Sequence, residues 1–279
     1  MSFEDVVVAG PSGPLMVRKF PGRTASVLDT ADPLVFVHPV NTGGAVWHQV
    51  APAVRNTVDG IGPVLVPDLR GHGRSTMAGP FSVDDYAADV LAVLDHFNLE
   101  RAHFVGASIG GPLGVLLAAR VPRRILSIAS FGGALELRMT DEQLAGIDVL
   151  LERGLDALFD ELVPAAIGPR FRTEALVAAA IEIAHGNGRP PQVVREIIRY
   201  AFSTDVSEHA RAVRVPSLVV NGSEDGAATP DAGARMARAL SSEPVVLAGV
   251  GHLPMLEAPR TVISLLAIHL GSVRAMNQP

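Results

Sequence analysis

AHFVGASIGGPLGVLLAA, residues 102–119, is the stretch that decides the fold. Residues 102–105 form a short, continuous apolar run, as expected of a strand buried on both faces. Gly106-Ala107-Ser108-Ile109-Gly110 follows at once, and from Pro112 the chain reads as a buried helix. A strand that passes straight into a helix through small residues makes a tight, strained turn. A serine at its apex has its hydroxyl held above the sheet. The amides at the start of the helix face any negative charge that develops there. Ile109 N–H, next after the serine, is the first such donor. The five-residue pattern alone is common, and its setting between strand and helix gives it weight.

The same alternation extends in both directions. Residues 6–9 and 15–20 flank a Gly/Pro-rich turn and read as a hairpin. Further apolar runs at 34–37, 64–66, 125–131, 215–220 and 245–247 read as strands. Ser82 caps a helix that runs to Phe97, with Asp84 and Asp85 at its positive end. A last helix starts near Pro259. Strands alternating with helices imply βαβ units, so the fold class is α/β: a doubly wound, mostly parallel sheet. The alternation lapses over 132–213, where helical patterns at 144–159, 173–184 and 193–202 are separated by breaks at Pro164, Gly168-Pro169 and 186–191. The expected division is a core of residues 1–131 and 214–279 carrying a helical cap of residues 132–213.

An activated serine needs a general base and a group that orients the base. Among nine histidines, His252 stands in a Gly/Pro-rich loop after the strand at 245–247, where α/β sheets place their sites. Asp225 follows the strand ending near Val220 and lies between serine and histidine in the chain. Glu224 beside it is the rival. The loop His38-Pro39-Val40-Asn41 follows the strand at 34–37 and is expected to supply a second amide to an oxyanion. Pro39 has no N–H, so the donor is Val40 or, as the alternative, Asn41. His38 is expected to brace the loop. His38, Asn41 and Trp47 are the candidates for the substrate pocket.

Taken together, these residues resemble the α/β-hydrolase superfamily, in its esterase-like branch with a helical cap. Pro67-Asp68-Leu69-Arg70-Gly71-His72-Gly73-Arg74-Ser75, Val215-Pro216, Gly222 with Asp225, and Gly251-His252 with Glu257 and Pro259 add to the resemblance, which spans nearly the whole chain. It implies a serine hydrolase with Ser108, His252 and Asp225 as triad and Val40 and Ile109 as oxyanion donors, cleaving a small carboxylic ester. Lactones, amides and carbon–carbon bonds stay open as targets. So do a ligand receptor on the same fold and a cofactor-free oxygenase using the His–Asp pair. Residues 68–75 are implied to be a scaffold loop.

Composition narrows the field. A formal net charge of −6 offers no basic face for nucleic acid. The absence of cysteine excludes disulfides, thiolate catalysis and cysteine-ligated zinc. No apolar run is long enough for a membrane span, and the first residues do not read as a signal peptide. The expectation is a cytoplasmic protein acting on a small molecule, with no metal or organic cofactor. Oligomeric state is not legible. The cap residues Arg138, Arg170, Arg172, His185 and Arg189 are read as solvated, with one of them free to hold a substrate carboxylate.

Overall fold

A computed structural model describes residues 3–22, 31–186 and 188–277. Eight strands form one sheet: β1 (Glu4–Gly10), β2 (Gly13–Phe20), β3 (Asp32–Val37), β4 (Ile61–Pro67), β5 (Ala102–Ala107), β6 (Ile125–Phe131), β7 (Ser217–Gly222) and β8 (Pro244–Leu247). Their spatial order is β1-β2-β4-β3-β5-β6-β7-β8. The β1–β2 hairpin and its pairing to β4 are antiparallel, and every later pair is parallel. β5 is buried along its whole length. β3 and β6 are nearly so. That burial is why these strands read as unbroken apolar runs.

Helices cover both faces. α2 (Val83–His96), α3 (Gly110–Arg120) and α9 (Pro230–Ala239) contribute to one apolar cluster, while α1 (Val50–Thr57), α10 (Pro254–Glu257) and α11 (Pro259–Asn277) contribute to the other. α2 starts where its sequence says it should. Ser82 accepts from Asp85 N–H and Asp85 accepts from Ser82 N–H, a reciprocal cap of the kind worth about 1 kcal/mol. Inside this frame Arg70 is buried and holds Asp89 through Nε at 2.7 Å and Nη2 at 2.6 Å. This two-pronged pair fixes the loop after β4 against α2.

From β3 the chain crosses to β4 on one side, then to β5 on the other. The crevice beyond the carboxyl ends of β3 and β5 is therefore the switch point where such sheets take ligands. Above it lie the helices between β6 and β7: α4 (Asp141–Glu152), α5 (Leu155–Ala166), α6 (Glu174–His185), α7 (Pro191–Ala201) and α8 (Ser207–Ala210). Two expectations fail here. The helix expected over 144–159 is two helices, parted at Arg153 and Gly154, where Gly154 has φ 108°. The break expected at Pro164 is absent, because Pro164 sits in the last turn of α5. The residue four positions back, Asp160, is exposed, so water can stand in for the hydrogen bond that proline cannot make. The break expected at 186–191 spans Asn187, which lies outside the described residues. Among the described residues no helix is long and apolar enough to cross a membrane.

Candidate active site

Ser108 sits between β5 and α3 with φ 53°, a left-handed conformation that costs a non-glycine residue about 1 kcal/mol or more. Two bonds hold it: Ser108 N–H donates to Phe131 O at 3.0 Å and Gly111 N–H donates to Ser108 O at 2.8 Å. The turn closes because position 106 has no side chain. A Cβ there would stand 2.2 Å from Gly110 O. Parallel pairing of Val37 with Gly106 then sets the loop after β3 beside this turn.

β7 and β8 pair with Gly222 opposite Leu247, so their following loops meet as well. Asp225 is buried, and His252 Nδ1 lies 2.9 Å from its Oδ2 and 3.0 Å from its Oδ1. Ala227 and Ala228 N–H donate to Asp225 Oδ1 at 2.9 and 2.8 Å. With its acceptors engaged the carboxylate cannot turn away. Nδ1 facing a carboxylate must carry the proton, which leaves Nε2 as the base. Burial works against a charge on His252, yet the Asp225 charge, the hydrogen bond to it and the Glu257 charge outweigh burial and raise its pKa. Position 132 must be glycine here: a Cβ would lie 3.1 Å from His252 O and 3.2 Å from Asp225 Oδ2, on a backbone with φ 60°. Glu224, the sequence rival, is exposed, and its side chain accepts from the Ser223 hydroxyl at 3.3 Å.

Ser108 and His252 share the wall of one cavity of about 170 Å³. No hydrogen bond joins them among the described residues, a spacing that such pairs close when substrate binds. The rest of the wall is mostly apolar and comes from α4, α5 and α7, with Ile147, Phe159, Leu162 and Ile198 among it. Val40 and Asn41 are also on the wall.

Two histidines brace the loop after β3. His38 Nδ1–H donates to Pro39 O at 2.7 Å and its Nε2 accepts from Leu69 N–H at 3.0 Å. His72 Nδ1–H donates to Arg70 O at 3.0 Å and its Nε2 accepts from Asn41 N–H at 3.0 Å. Each ring nitrogen faces a group that fixes its tautomer, and burial lowers the pKa of both rings, so both are neutral. One consequence bears on the amides of the loop after β3. Asn41 N–H is spent on His72, whereas Val40 N–H and Ile109 N–H donate to no protein acceptor among the described residues. Ile109 follows the serine in the chain, and Val40 shares the cavity wall with it.

Other expected site residues lie elsewhere. Trp47 is fully buried between Phe36 and Phe131, and both Trp47 and His38 stand behind the cavity wall rather than on it. Trp47 is in the core because its ring fills space beneath the site. Arg189, expected to be solvated, is 2% exposed. Glu257, quoted only as part of a motif, is a buried clamp. Its Oε2 accepts from Gly168 N–H at 2.8 Å and Gly251 N–H at 2.7 Å, and its Oε1 accepts from Leu253 N–H at 3.0 Å. His252 N–H also donates to Ala166 O at 2.7 Å. A carboxylate one turn into the helix after the histidine loop was the available signal for Glu257. Arg189 had none, since its partner is 148 residues away.

Comparison with known proteins identifies the family of this fold. Residues 32–195 match the family described as the alpha/beta hydrolase fold. The chain is 25% identical over 264 residues to 3-oxoadipate enol-lactonase 1 of Acinetobacter baylyi, covering 93% of this chain and 98% of that one. The crystal structure of the enol-lactonase from Burkholderia xenovorans LB400 superposes with a TM-score of 0.85 at 25% identity, covering 95% and 100% of the two chains. Est816, described as an N-acyl homoserine lactone degrading enzyme, gives 0.80 at 27% identity, covering 94% and 98%. With a family match over more than half its length and solved relatives that superpose over nearly all of it, the chain belongs to the alpha/beta hydrolase fold family.

Proposed function

We propose that this protein is a serine hydrolase that opens a small carboxylic ester or lactone through an acyl-enzyme. The observation that carries the reading is the buried Asp225–His252 pair on the same cavity as Ser108, whose turn lies beside two unspent backbone amides. His252 Nε2 takes the hydroxyl proton as Ser108 Oγ attacks the carbonyl carbon. The oxyanion that forms is met by Val40 and Ile109 N–H. Asp225 holds the imidazole in its tautomer and stabilises the imidazolium. His252 then gives the proton to the leaving oxygen. Water, deprotonated by the same nitrogen, attacks the acyl carbon and releases Ser108.

The lactone is favoured as a target by the relatives whose names describe enol-lactonase and N-acyl homoserine lactone degrading activity. The apolar wall suits a small hydrophobic acyl or ring group. The test is a panel of short p-nitrophenyl esters and five- and six-membered lactones. Ser108→Ala is expected to lower kcat by at least roughly a thousandfold, and a fluorophosphonate is expected to label Ser108. Full turnover by the alanine variant refutes the acyl-enzyme. Rapid labelling without turnover on any substrate favours a receptor on this fold.

A further inference from the structure

Arg189 lies between α6 and α7. It is 2% exposed, yet it has no carboxylate within ion-pair distance among the described residues. An unpaired charge in such a place is costly, so what surrounds it is informative. Nη2 donates to Ala184 O, and Nε is buried without an acceptor. The guanidinium stands over the Phe159 ring, 5.5 Å from its centroid. Nη1 donates to Asn41 Oδ1 at 3.2 Å. Burial lowers the guanidinium to about 10, which leaves it charged at neutral pH, and its charge reaches the loop after β3, where it opposes protonation of His38 and His72.

That one bond fixes the chemistry of Asn41. A guanidinium has only donors, so Asn41 must turn its oxygen to Arg189 and its amino group the other way. Asn41 lines the cavity beside Val40, and its Nδ2 has no acceptor among the described residues. The hydroxyl of Thr42, next to Asn41 on the wall, is spent on Pro39 O at 2.7 Å. Among the described residues the apolar cavity thus has a free side-chain amide donor, backed by a positive charge that no carboxylate neutralises. We propose that Asn41, positioned by Arg189, binds a carboxylate carried by the substrate, so that the site selects anionic over neutral esters or lactones of the same shape.

This rests on the hydrolase reading for its kinetic arm only. The probes are 4-nitrophenyl hydrogen glutarate and neutral 4-nitrophenyl hexanoate. In the native protein the ratio of kcat/KM, anionic over neutral, is expected to exceed one. Asn41→Asp, which would pair with Arg189 and cancel its charge, is expected to lower that ratio roughly ten- to a hundredfold, the worth of a hydrogen bond to a charged group. Asn41→Gly keeps the φ of 58° accessible and is expected to lower it as well. Arg189→Met is expected to lower the ratio through KM on the anionic ester, and Arg189→Lys to restore part of it. A second arm needs no turnover: calorimetric binding of monomethyl glutarate and dimethyl glutarate to Ser108→Ala protein. Tighter binding of the monoanion, lost in Asn41→Asp, supports the subsite even if no ester is cleaved. Equal binding of the two, no binding of either, or equal kinetic losses on both esters overturns it.

Discussion

Replacing Glu257 with alanine removes the acceptor of three backbone amides at once, those of Gly168, Gly251 and Leu253. The carboxylate is 6% exposed, so water does not already serve these groups. Each orphaned buried donor costs about 1–3 kcal/mol. Some water will enter the space left by the side chain, so the loss is expected to be about 3–5 kcal/mol, the lower part of the range of about 3–9 kcal/mol for three donors. In a domain of this size that corresponds to a fall in Tm of roughly 8–15 °C. Glu257→Gln is a graded control. Its oxygen can keep the Gly168 and Gly251 bonds, while its amino group meets Leu253 N–H, donor against donor, so about 1–2 kcal/mol is expected. Urea unfolding followed by circular dichroism reads both variants, with the slope of the transition checked for constancy. A loss below about 1 kcal/mol for Glu257→Ala, or a larger loss for glutamine than for alanine, would refute the clamp.

Two predictions concern pH. Because the Asp225 charge, the bond to it and Glu257 raise His252 against the pull of burial, kcat/KM is expected to fall as pH drops through a pKa raised from the ordinary histidine value. Asp225→Asn should move that inflection downward and lower the rate by about four orders of magnitude; an unmoved inflection would count against the pairing. The contribution of His252 to folding runs the other way, full at low pH and lost as pH rises through its raised folded pKa. At the opposite end of the sheet, burial lowers His103 to about 3 and His269 to about 4. The unfolded chain binds these protons first, so stability is expected to decline as pH falls from about 6.5 towards those values. His103→Gln, which keeps a partner for Ser127, should flatten that decline in urea midpoints taken from pH 7 to 4.5.

What the sequence disclosed follows from where each constraint is stored. The serine turn is local: strand, small residues and helix are contiguous, and so residues 102–119 announce it. His252 sits in a loop with an equally local signature. The choice between Glu224 and Asp225 is not local, because it depends on which of two adjacent side chains β7–β8 pairing turns inward. The choice between Val40 and Asn41 depends on His72, thirty-one residues away. Trp47 read as a pocket residue because an aromatic near a site loop lacks any sequence mark that tells core from wall. Arg189 read as solvated because arginine usually is; only the meeting of α6 and α7 with the loop after β3 buries it. The helices over the site were misdivided because the apolar spacing runs on across Gly154, whose φ of 108° parts α4 from α5, and because the exposed Asp160 lets water replace the bond that Pro164 cannot make.

His252 N–H on Ala166 O and Glu257 on Gly168 N–H stitch the end of α5 to the loop that carries the histidine. A boundary drawn along the sequence at residue 132 and again at 213 therefore cuts through a single mechanical piece. Residues 166–168 are bonded both to the helical segment around them and to His252 and Glu257 after β8. Exchange of the helical segment between relatives, as a way to change substrate, should keep this short junction from the recipient. A graft that replaces it would carry off the support of the histidine together with the old cavity wall.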